Sequence, residues 1–338
     1  MCFNPPADTA SREKELSLDE IEKVAKTMKH LIQLTISGGE PFLREDLPEI
    51  IKIFSARSGV RFVTLSTNGF LPQRILEKTE RILRENPEVH FNFCISIDDI
   101  GEKHDDIRGV RGGFERLMET YRGALKLKEK FENIEIHTTT VLSALNASRI
   151  EEIFRWLDEN IKAEVPEVLL VRGSVRDPKS VGVKIEVYEK AAEEINRRLK
   201  ERAQALGLKG KLVASLTAVM SETVVRSERE RRMIVPCLAG KKLVILRADG
   251  RVDPCEILET LYAGEDKPWG LDRFSFGNVR EYDYNMSKVV GSKNAALVKE
   301  FIEKTECHCT FECAIFASLI FGAKNWVKLS KRFLLDLV

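Results

Sequence analysis

The sequence predicts an α/β fold in which a parallel sheet curves into an open, partial barrel, followed by a small cysteine-rich domain. Short β-branched runs alternate with amphipathic stretches every 30–40 residues or so, a spacing of about one βαβ unit. These runs end in polar or glycine-containing turns, which right-handed βαβ connections bring to one edge of a sheet. A doubly wound sheet is the alternative, but no Gly-x-Gly-x-x-Gly loop follows any strand.

The elements follow one another in a regular order. Capping-box patterns at Ser17–Glu20 and Ser148–Glu151 mark the starts of two helices. Apolar residues at helical spacing then mark further helices, ending with the stripe that begins at Phe114. The predicted strands are 31–36, 60–66, 90–97, 134–142 and 168–171.

The composition limits the classes of function. The chain has 338 residues, enough for one large domain or two ordinary ones, and its net charge of +1 predicts neither a nucleic-acid nor a membrane partner. No apolar run reaches the ~18 residues of a membrane span, and the N-terminus lacks the apolar core of a signal peptide. We therefore expect a cytoplasmic protein with reduced thiols. Scarce glutamine beside abundant Glu, Lys and Arg hints at a thermophile.

The first strand ends in an unusual turn, Ser37-Gly38-Gly39-Glu40-Pro41. Glycine lacks a Cβ, so a ligand can approach the backbone closely here. Ligands of parallel α/β folds bind at this end of the strands. An ordinary turn with a surface glutamate is the alternative interpretation.

The pattern changes near residue 178. A long helix is predicted to end at Gly207, a second helix covers about 211–230, and Ala248-Asp249-Gly250 indicates a hairpin. Three cysteines then fall within Cys307–Cys313, which in a reduced compartment indicates metal binding rather than disulfides. We predict a barrel domain at 1–177, a helical bridge at 178–236 and a cysteine-rich domain at 237–338.

At this point the sequence resembles a radical S-adenosylmethionine enzyme with a C-terminal SPASM or Twitch-type auxiliary iron–sulfur domain. The matching segments are LTISGGEPFLREDL, VTLSTNG, CISIDDIGEKHDDIRGVRGGF, the Cys237-x12-Gly250-x4-Cys255 spacing and the terminal cysteines. Asp99 stands where the family often has glycine. The resemblance implies a partial (β/α)6 TIM-like barrel that binds S-adenosylmethionine and a 4Fe–4S cluster. Reductive cleavage would give a 5′-deoxyadenosyl radical that takes hydrogen from a substrate, and an electron donor such as ferredoxin or flavodoxin is implied.

Cys2 is the departure from the family pattern. It resembles the last cysteine of the C-x3-C-x2-C triad that holds the radical cluster, and the first two cysteines are missing from residues 1–338. We expect this cluster site to be incomplete here and the natural protein to extend upstream by one strand and a loop. A free thiol in a loop is the alternative.

The resemblance also assigns cofactor-binding residues. They are Gly38, Gly39 and Glu40 for the amino group, with Pro41 beside them, and Ser96 and Asp98 for the ribose and carboxylate. Thr67 and Asn68 would line the same cavity, and Arg108 would pair with a carboxylate. The alternatives are a helix-capping role for Asp98, a plain turn at Asn68-Gly69 and a surface ion pair for Arg108. His104, Asp105 and Cys94 are expected to be structural.

One auxiliary 4Fe–4S cluster is implied for the C-terminal domain. Its expected ligands are Cys237, Cys255 and Cys313, with either Cys307 or Cys309. A structural zinc site that uses His308 is one alternative, within a zinc-dependent barrel enzyme. Another is an iron–sulfur binding or scaffold protein without radical activity. The substrate, a peptide or a small molecule, is not indicated by the sequence.

Overall fold

The chain divides into two compact units. In the computed structural model, residues 15–173, 175–262, 274–326, 329–330 and 332–333 are described. Unit 1 comprises the chain up to Leu169 together with Arg176–Ser180, and unit 2 comprises Leu170–Val175 and the chain from Val181 onward. The three-domain division expected from the sequence stays a prediction.

Unit 1 alternates strands and helices. Its elements are α1 (Leu18–Thr27), β1 (Gln33–Ile36), a 3-10 turn (Pro41–Leu43), α2 (Leu47–Ser58), β2 (Phe62–Thr67), α3 (Pro72–Glu85), β3 (His90–Ser96), α4 (Glu102–Arg108), α5 (Gly113–Lys130), β4 (Ile134–Leu142), a 3-10 turn (Ala147–Arg149), α6 (Ile150–Asn160), β5 (Val165–Leu170, whose last residue belongs to unit 2) and a 3-10 turn (Pro178–Ser180).

The strands form one open sheet in the order β1-β2-β3-β4-β5. Its parallel registers pair Leu34 with Val63, Val63 with Phe91 and Phe91 with Ile134. The α/β class and the open architecture are therefore confirmed. Among the described residues this sheet has five strands, one fewer than the six of the implied barrel, and it does not close.

The two faces of the sheet differ in chemistry. One face carries apolar side chains such as Val63, Leu65, Phe93 and Ile136, each no more than 1% exposed. Burying one such side chain contributes about 1.5–3 kcal/mol, so this face forms the core of unit 1. The opposite face, which we call the polar face, carries Thr64, Asn92, Cys94, Glu135, His137, Thr139 and Glu167, and the sequences of β1–β5 contain neither lysine nor arginine.

Two helix starts test the predicted capping boxes. At α1, Glu20 N donates to the Ser17 hydroxyl and Ser17 N donates to the Glu20 carboxylate, so this capping box is confirmed. The predicted box at Ser148 is wrong, because Ala147–Arg149 form a 3-10 turn and Arg149 occupies the N-cap position without a side-chain cap. Arg149 instead pairs with Glu152 and with Asp99, which holds that turn in place.

Unit 2 begins with a reversed pair of helices. Helix α7 (Ile185–Glu230) is interrupted at Gly207, whose φ of 61° and ψ of −142° are not helical, as the sequence predicts. Arg229 near its end pairs with Glu189 near its start at 2.5 Å, so the chain reverses at Gly207.

A small antiparallel sheet and short helices complete unit 2. The elements are β6 (Ile245–Leu246), β7 (Arg251–Asp253), α8 (Leu258–Leu261), β8 (Gly277–Asn278), a 3-10 turn (Val279–Tyr282), α9 (Met286–Val290), α10 (Lys293–Lys304), α11 (Glu312–Phe321) and a 3-10 turn (Ala323–Asn325). The β6–β7 pairing confirms the predicted hairpin. No helix in the described part of the chain is long and apolar enough to cross a bilayer.

Candidate functional site

The carboxyl edge of the sheet carries the Gly38-Gly39-Glu40 turn. Gly38 has a φ of +126°, and a Cβ added to Gly38 or Gly39 would meet no atom within 4 Å. Both glycines are exposed, whereas Pro41 is buried and begins the 3-10 turn. The space on the Cβ side of both glycines is therefore clear.

Glu40 joins the ends of β1 and β2. Its carboxylate accepts hydrogen bonds from the Thr67 hydroxyl at 3.0 Å, from Asn68 N at 2.8 Å and from Phe42 N at 3.3 Å. Burial raises the pKa of the Glu40 carboxyl, and these hydrogen bonds and the charge of Arg108 oppose that rise. Glu40 thus fixes the turn through its side chain, and both glycines beside it are exposed.

The Asn68-Gly69 turn is tightly packed. Asn68 Oδ1 accepts from Phe70 N at 2.8 Å, and the Gly69 carbonyl accepts from the Thr120 hydroxyl at 2.7 Å. Gly69 has a φ of +76°, and an added Cβ would lie 3.0 Å from Leu117 Cα. Only glycine suits this position, because a side chain would be strained in conformation and would clash with backbone.

Asp98 joins the ends of β3 and β4. It is 0% exposed, its Oδ1 accepts from Val141 N at 3.0 Å, and its Oδ2 lies 2.5 Å from Arg108 Nη2. The Asp98 carbonyl accepts from the Asn146 side-chain amide at 2.7 Å. The ion pair of Arg108 is therefore with a fully buried carboxylate rather than on the surface. Ser96 ends β3 on the same edge and is half-buried.

His104 and Asp105 support the start of α5 and the edge of the sheet. His104 is fully buried between Phe70 and Phe114, and its Nδ1 accepts from Asp98 N at 3.2 Å. Burial lowers the pKa of His104 to about 4, so its ring is neutral at pH 7. Asp105 accepts from Phe114 N at 2.7 Å. These contacts are the structural role expected for both residues.

Asp99 follows β3 and has its charge paired. Its Oδ1 accepts from Ile100 N at 2.7 Å and lies 2.5 Å from Arg149 Nη1. Burial raises the pKa of the Asp99 carboxyl, and Arg149 opposes that rise. An arginine that follows β4 therefore compensates the buried charge of Asp99 at this position, where the sequence comparison above expects glycine.

The polar face carries a group of ionisable residues that sequence reasoning did not connect. His90 and His137 each place Nε2 3.4 Å from the Glu135 carboxylate, and the Thr139 hydroxyl donates to Glu167 at 3.4 Å. Burial raises the pKa of the Glu167 carboxyl, and nearby His137 opposes that rise. The signal available was the alternation Glu135, His137, Thr139 along one strand, which places all three on one face.

Four cysteines come together in unit 2. Cys237, Cys255, Cys307 and Cys309 lie near enough for their charges to act on one another, and Cys237, Cys307 and Cys309 line one recess with His308. Burial raises the pKa of all four thiols, that of Cys255 to about 12 and that of Cys309 to about 11. Cys313 is exposed at the start of α11, and its charge acts on Arg172.

Four thiols are the donor set of a 4Fe–4S cluster and also that of a structural zinc site. Within the described ranges, no three His, Cys, Asp or Glu side chains are arranged to hold one metal ion. Cys94 is buried in β3, as expected, and Cys2 lies outside the described residues.

Comparison with known proteins shows what the N-terminal half of this chain is similar to. Residues 1–157 match the model of the Radical SAM superfamily. This match covers less than half of the chain, which is similar to that superfamily in this region. It is 34% identical to a pre-heme d1 synthase of Dinoroseobacter shibae over 127 residues, which is 37% of this chain and 28% of that protein. It is 27% identical to an AdoMet-dependent heme synthase of Methanosarcina barkeri over 267 residues, which is 76% of this chain and 70% of that protein.

Two solved structures share the fold. One is native anSMEcpe with bound AdoMet and Kp18Cys peptide, with a TM-score of 0.55, 14% identity and coverage of 94% of this chain and 90% of that chain. Another is Streptococcus suis SuiB, with a TM-score of 0.51, 15% identity and coverage of 83% of this chain and 62% of that chain. At these identities the likeness concerns the fold alone.

Proposed function

We propose that this protein is a radical SAM enzyme that reductively cleaves S-adenosylmethionine and abstracts hydrogen from a peptide or small-molecule substrate. The proposal rests on the exposed Gly38-Gly39 turn at the carboxyl edge of the sheet, which the half-buried Glu40 carboxylate holds in place. When bound to a reduced 4Fe–4S cluster, S-adenosylmethionine supplies the 5′-deoxyadenosyl radical. An electron donor such as ferredoxin or flavodoxin and a cytoplasmic location belong to the same proposal.

Each residue at the carboxyl edge of the sheet would have its own role in binding the cofactor. Carbonyl groups of Gly38 and Gly39 can accept from its ammonium group, and Glu40 keeps them in position through its contacts to β2. Ser96 can offer its hydroxyl to the ribose. Asp98 is occupied by Arg108 and by the backbone of β4, so we assign it to positioning this edge. Cys2 is proposed as one ligand of the radical cluster.

Replacing Glu40 by glutamine tests whether its carboxylate positions the glycine turn for cofactor binding. We expect the E40Q protein to bind S-adenosylmethionine about tenfold more weakly, because a hydrogen bond to a charged group contributes about 1.5–3 kcal/mol and the new amide N–H cannot accept from Asn68 N. Equilibrium dialysis of the anaerobically purified product of the natural gene, loaded with iron and sulfide, gives the affinity. The E45Q variant, whose side chain is 73% exposed in the wild type, should bind normally.

Formation of 5′-deoxyadenosine tests the reaction itself. The loaded protein is mixed with S-adenosylmethionine and dithionite, and the nucleoside is measured by mass spectrometry. Its appearance supports the radical reaction. Protein that holds its radical cluster and binds S-adenosylmethionine, yet forms no 5′-deoxyadenosine, would be an iron–sulfur binding protein without radical activity, and the proposal would be wrong.

We further propose that Cys237, Cys255, Cys307 and Cys309 hold one auxiliary 4Fe–4S cluster, in a SPASM or Twitch-like domain. Their shared burial, and the recess that Cys237, Cys307 and Cys309 line together, support this set. It differs from the set expected from the sequence by containing both Cys307 and Cys309 in place of the exposed Cys313.

Serine variants distinguish the two sets of ligands. We expect C309S to lose about four iron and four sulfide per chain, because a 4Fe–4S cluster takes four thiolates. The C313S variant is the matched control, since it lies four residues away, and should retain its iron and sulfide. Loss of iron in C313S but not in C309S would contradict the assignment. If the wild-type protein contains zinc and no sulfide, these cysteines hold zinc instead of a cluster.

A further inference from the structure

Arg172 is a largely buried arginine that contacts the segment Cys309–Cys313, which we call the cysteine loop. Its side chain is 12% exposed, and its Nη1 donates to the Thr310 carbonyl at 3.3 Å. The guanidinium carbon lies 5.0 Å from the centre of the Phe311 ring. Arg172 also forms an ion pair with Glu312, whose side chain is 5% exposed. Three consecutive residues of the cysteine loop therefore contact one cation.

The surroundings of this cation include the proposed cluster ligands. Cys309 and Cys313 are among the groups whose negative charge would act on Arg172, together with Glu256 and Tyr188. In return, the charge of Arg172 acts on the Cys309 thiol. Burying an arginine this deeply is costly unless negative charge compensates it, and thiolates bound to iron would add such charge beside the loop.

A second cation acts on these cysteines, but from the surface. The charge of Lys241 acts on Cys237. The Lys241 side chain is 41% exposed and pairs with Glu303, so water and that carboxylate screen its charge. Of these two cations, Arg172 is therefore the one whose charge is screened less by solvent.

We propose that Arg172 raises the reduction potential of the auxiliary cluster, and that Glu312 opposes this effect while it holds Arg172 in place. This inference rests on the proposed auxiliary cluster. Four thiolates give the oxidised cluster site a net negative charge, and the electron accepted on reduction makes that charge more negative by one unit. A fixed cation in a medium of low dielectric favours the added electron, and a carboxylate disfavours it.

Opposite shifts in two variants test the proposal. The auxiliary cluster is titrated with dithionite in the presence of redox mediators and followed by electron paramagnetic resonance. We expect the midpoint potential to move to a more negative value in R172Q and to a more positive value in E312Q. The R172K variant keeps the charge and should stay nearest to the wild type. The R226Q variant, which removes an arginine 40% exposed on α7, should not shift.

The opposite signs separate a charge effect from a structural one. If the two residues had only a structural role, either variant would loosen the cysteine loop. The midpoint potentials of R172Q and E312Q would then move in the same direction, or each variant would lose its auxiliary cluster. If R172Q does not fold, the double variant R172Q/E312Q removes both charges together. Its midpoint potential should be more negative than that of E312Q. Equal midpoints in E312Q and the double variant would overturn the proposal.

Measurements on the wild-type protein distinguish the presence of the auxiliary cluster from the role of Arg172. Wild-type protein without iron and sulfide at this site would contradict the auxiliary cluster itself. Wild-type protein that carries the cluster, but whose potential does not change in R172Q and E312Q, would contradict only the role of Arg172.

Discussion

Replacing Asp98 by alanine is expected to lower the free energy of unfolding by about 3 kcal/mol, because removing one partner of a buried ion pair leaves the other charge uncompensated. Asp98 is fully buried and also accepts from Val141 N, so the variant loses the connection between β3 and β4. The expected cost lies at the lower end of the usual 3–5 kcal/mol range, since the Arg108 side chain is 24% exposed and can reach water. Urea denaturation followed by circular dichroism measures the change.

Two variants provide the comparison for D98A. In R84Q, an exposed pair between neighbouring turns of α3 is lost, and a cost of about 0.5 kcal/mol or less is expected. In D98N, the Oδ1 acceptor for Val141 N is kept and only the charge is lost, so the cost should fall between the other two. Equal destabilisation in D98A and R84Q would show that the buried pair does not hold this edge together.

Stability is expected to fall as the pH is lowered from about 6.5 to about 4, through His104. The pKa of this residue is lowered from 6.5 to about 4 in the folded protein. The unfolded chain therefore takes up a proton at a pH where the folded protein does not, so stability is fully present above about 6.5 and is lost as the pH falls. A difference of about two and a half pKa units corresponds to about 3 kcal/mol.

The H104N variant isolates this contribution. Asparagine can still accept from Asp98 N, but it does not titrate in this range. Unfolding free energies measured by urea denaturation at several pH values should show a smaller slope between pH 4 and 6.5 in H104N than in the wild type. Carboxylates titrate at the lower end of the same range, so the difference between the two slopes is the relevant quantity. Identical slopes would mean that His104 does not cause the acid sensitivity.

The strands could be predicted because each is a short apolar or alternating run bounded by a turn. The run at 134–142 matches β4 residue for residue. Strand β5 was predicted at 168–171 but covers Val165–Leu170, because Pro166 can be accommodated in a strand at the edge of a sheet. Gly207 interrupts its helix as predicted, since its backbone conformation is open to glycine and strained for other residues.

The partners of the buried charges could not be predicted in the same way. Glu40 accepts from Thr67 and Asn68, and Arg172 pairs with Glu312, 140 positions further along the chain. Such pairs depend on how elements pack, and no local periodicity encodes them. The motifs therefore located the carboxyl edge and the cysteine loop, whereas the side chains that hold each of them in place emerged only from the fold.

The reversal of α7 at Gly207 limits how the length of this segment can change in evolution. Each arm is about 33 Å long at a rise of 1.5 Å per residue, and Glu189 meets Arg229 near the open end. Inserting a single residue into one arm would rotate everything beyond it by about 100° and separate that pair. Viable lengthening requires about one helical turn in each arm at once. Homologous hairpins should therefore differ from this one in steps of about seven residues, with the turn glycine kept near the midpoint.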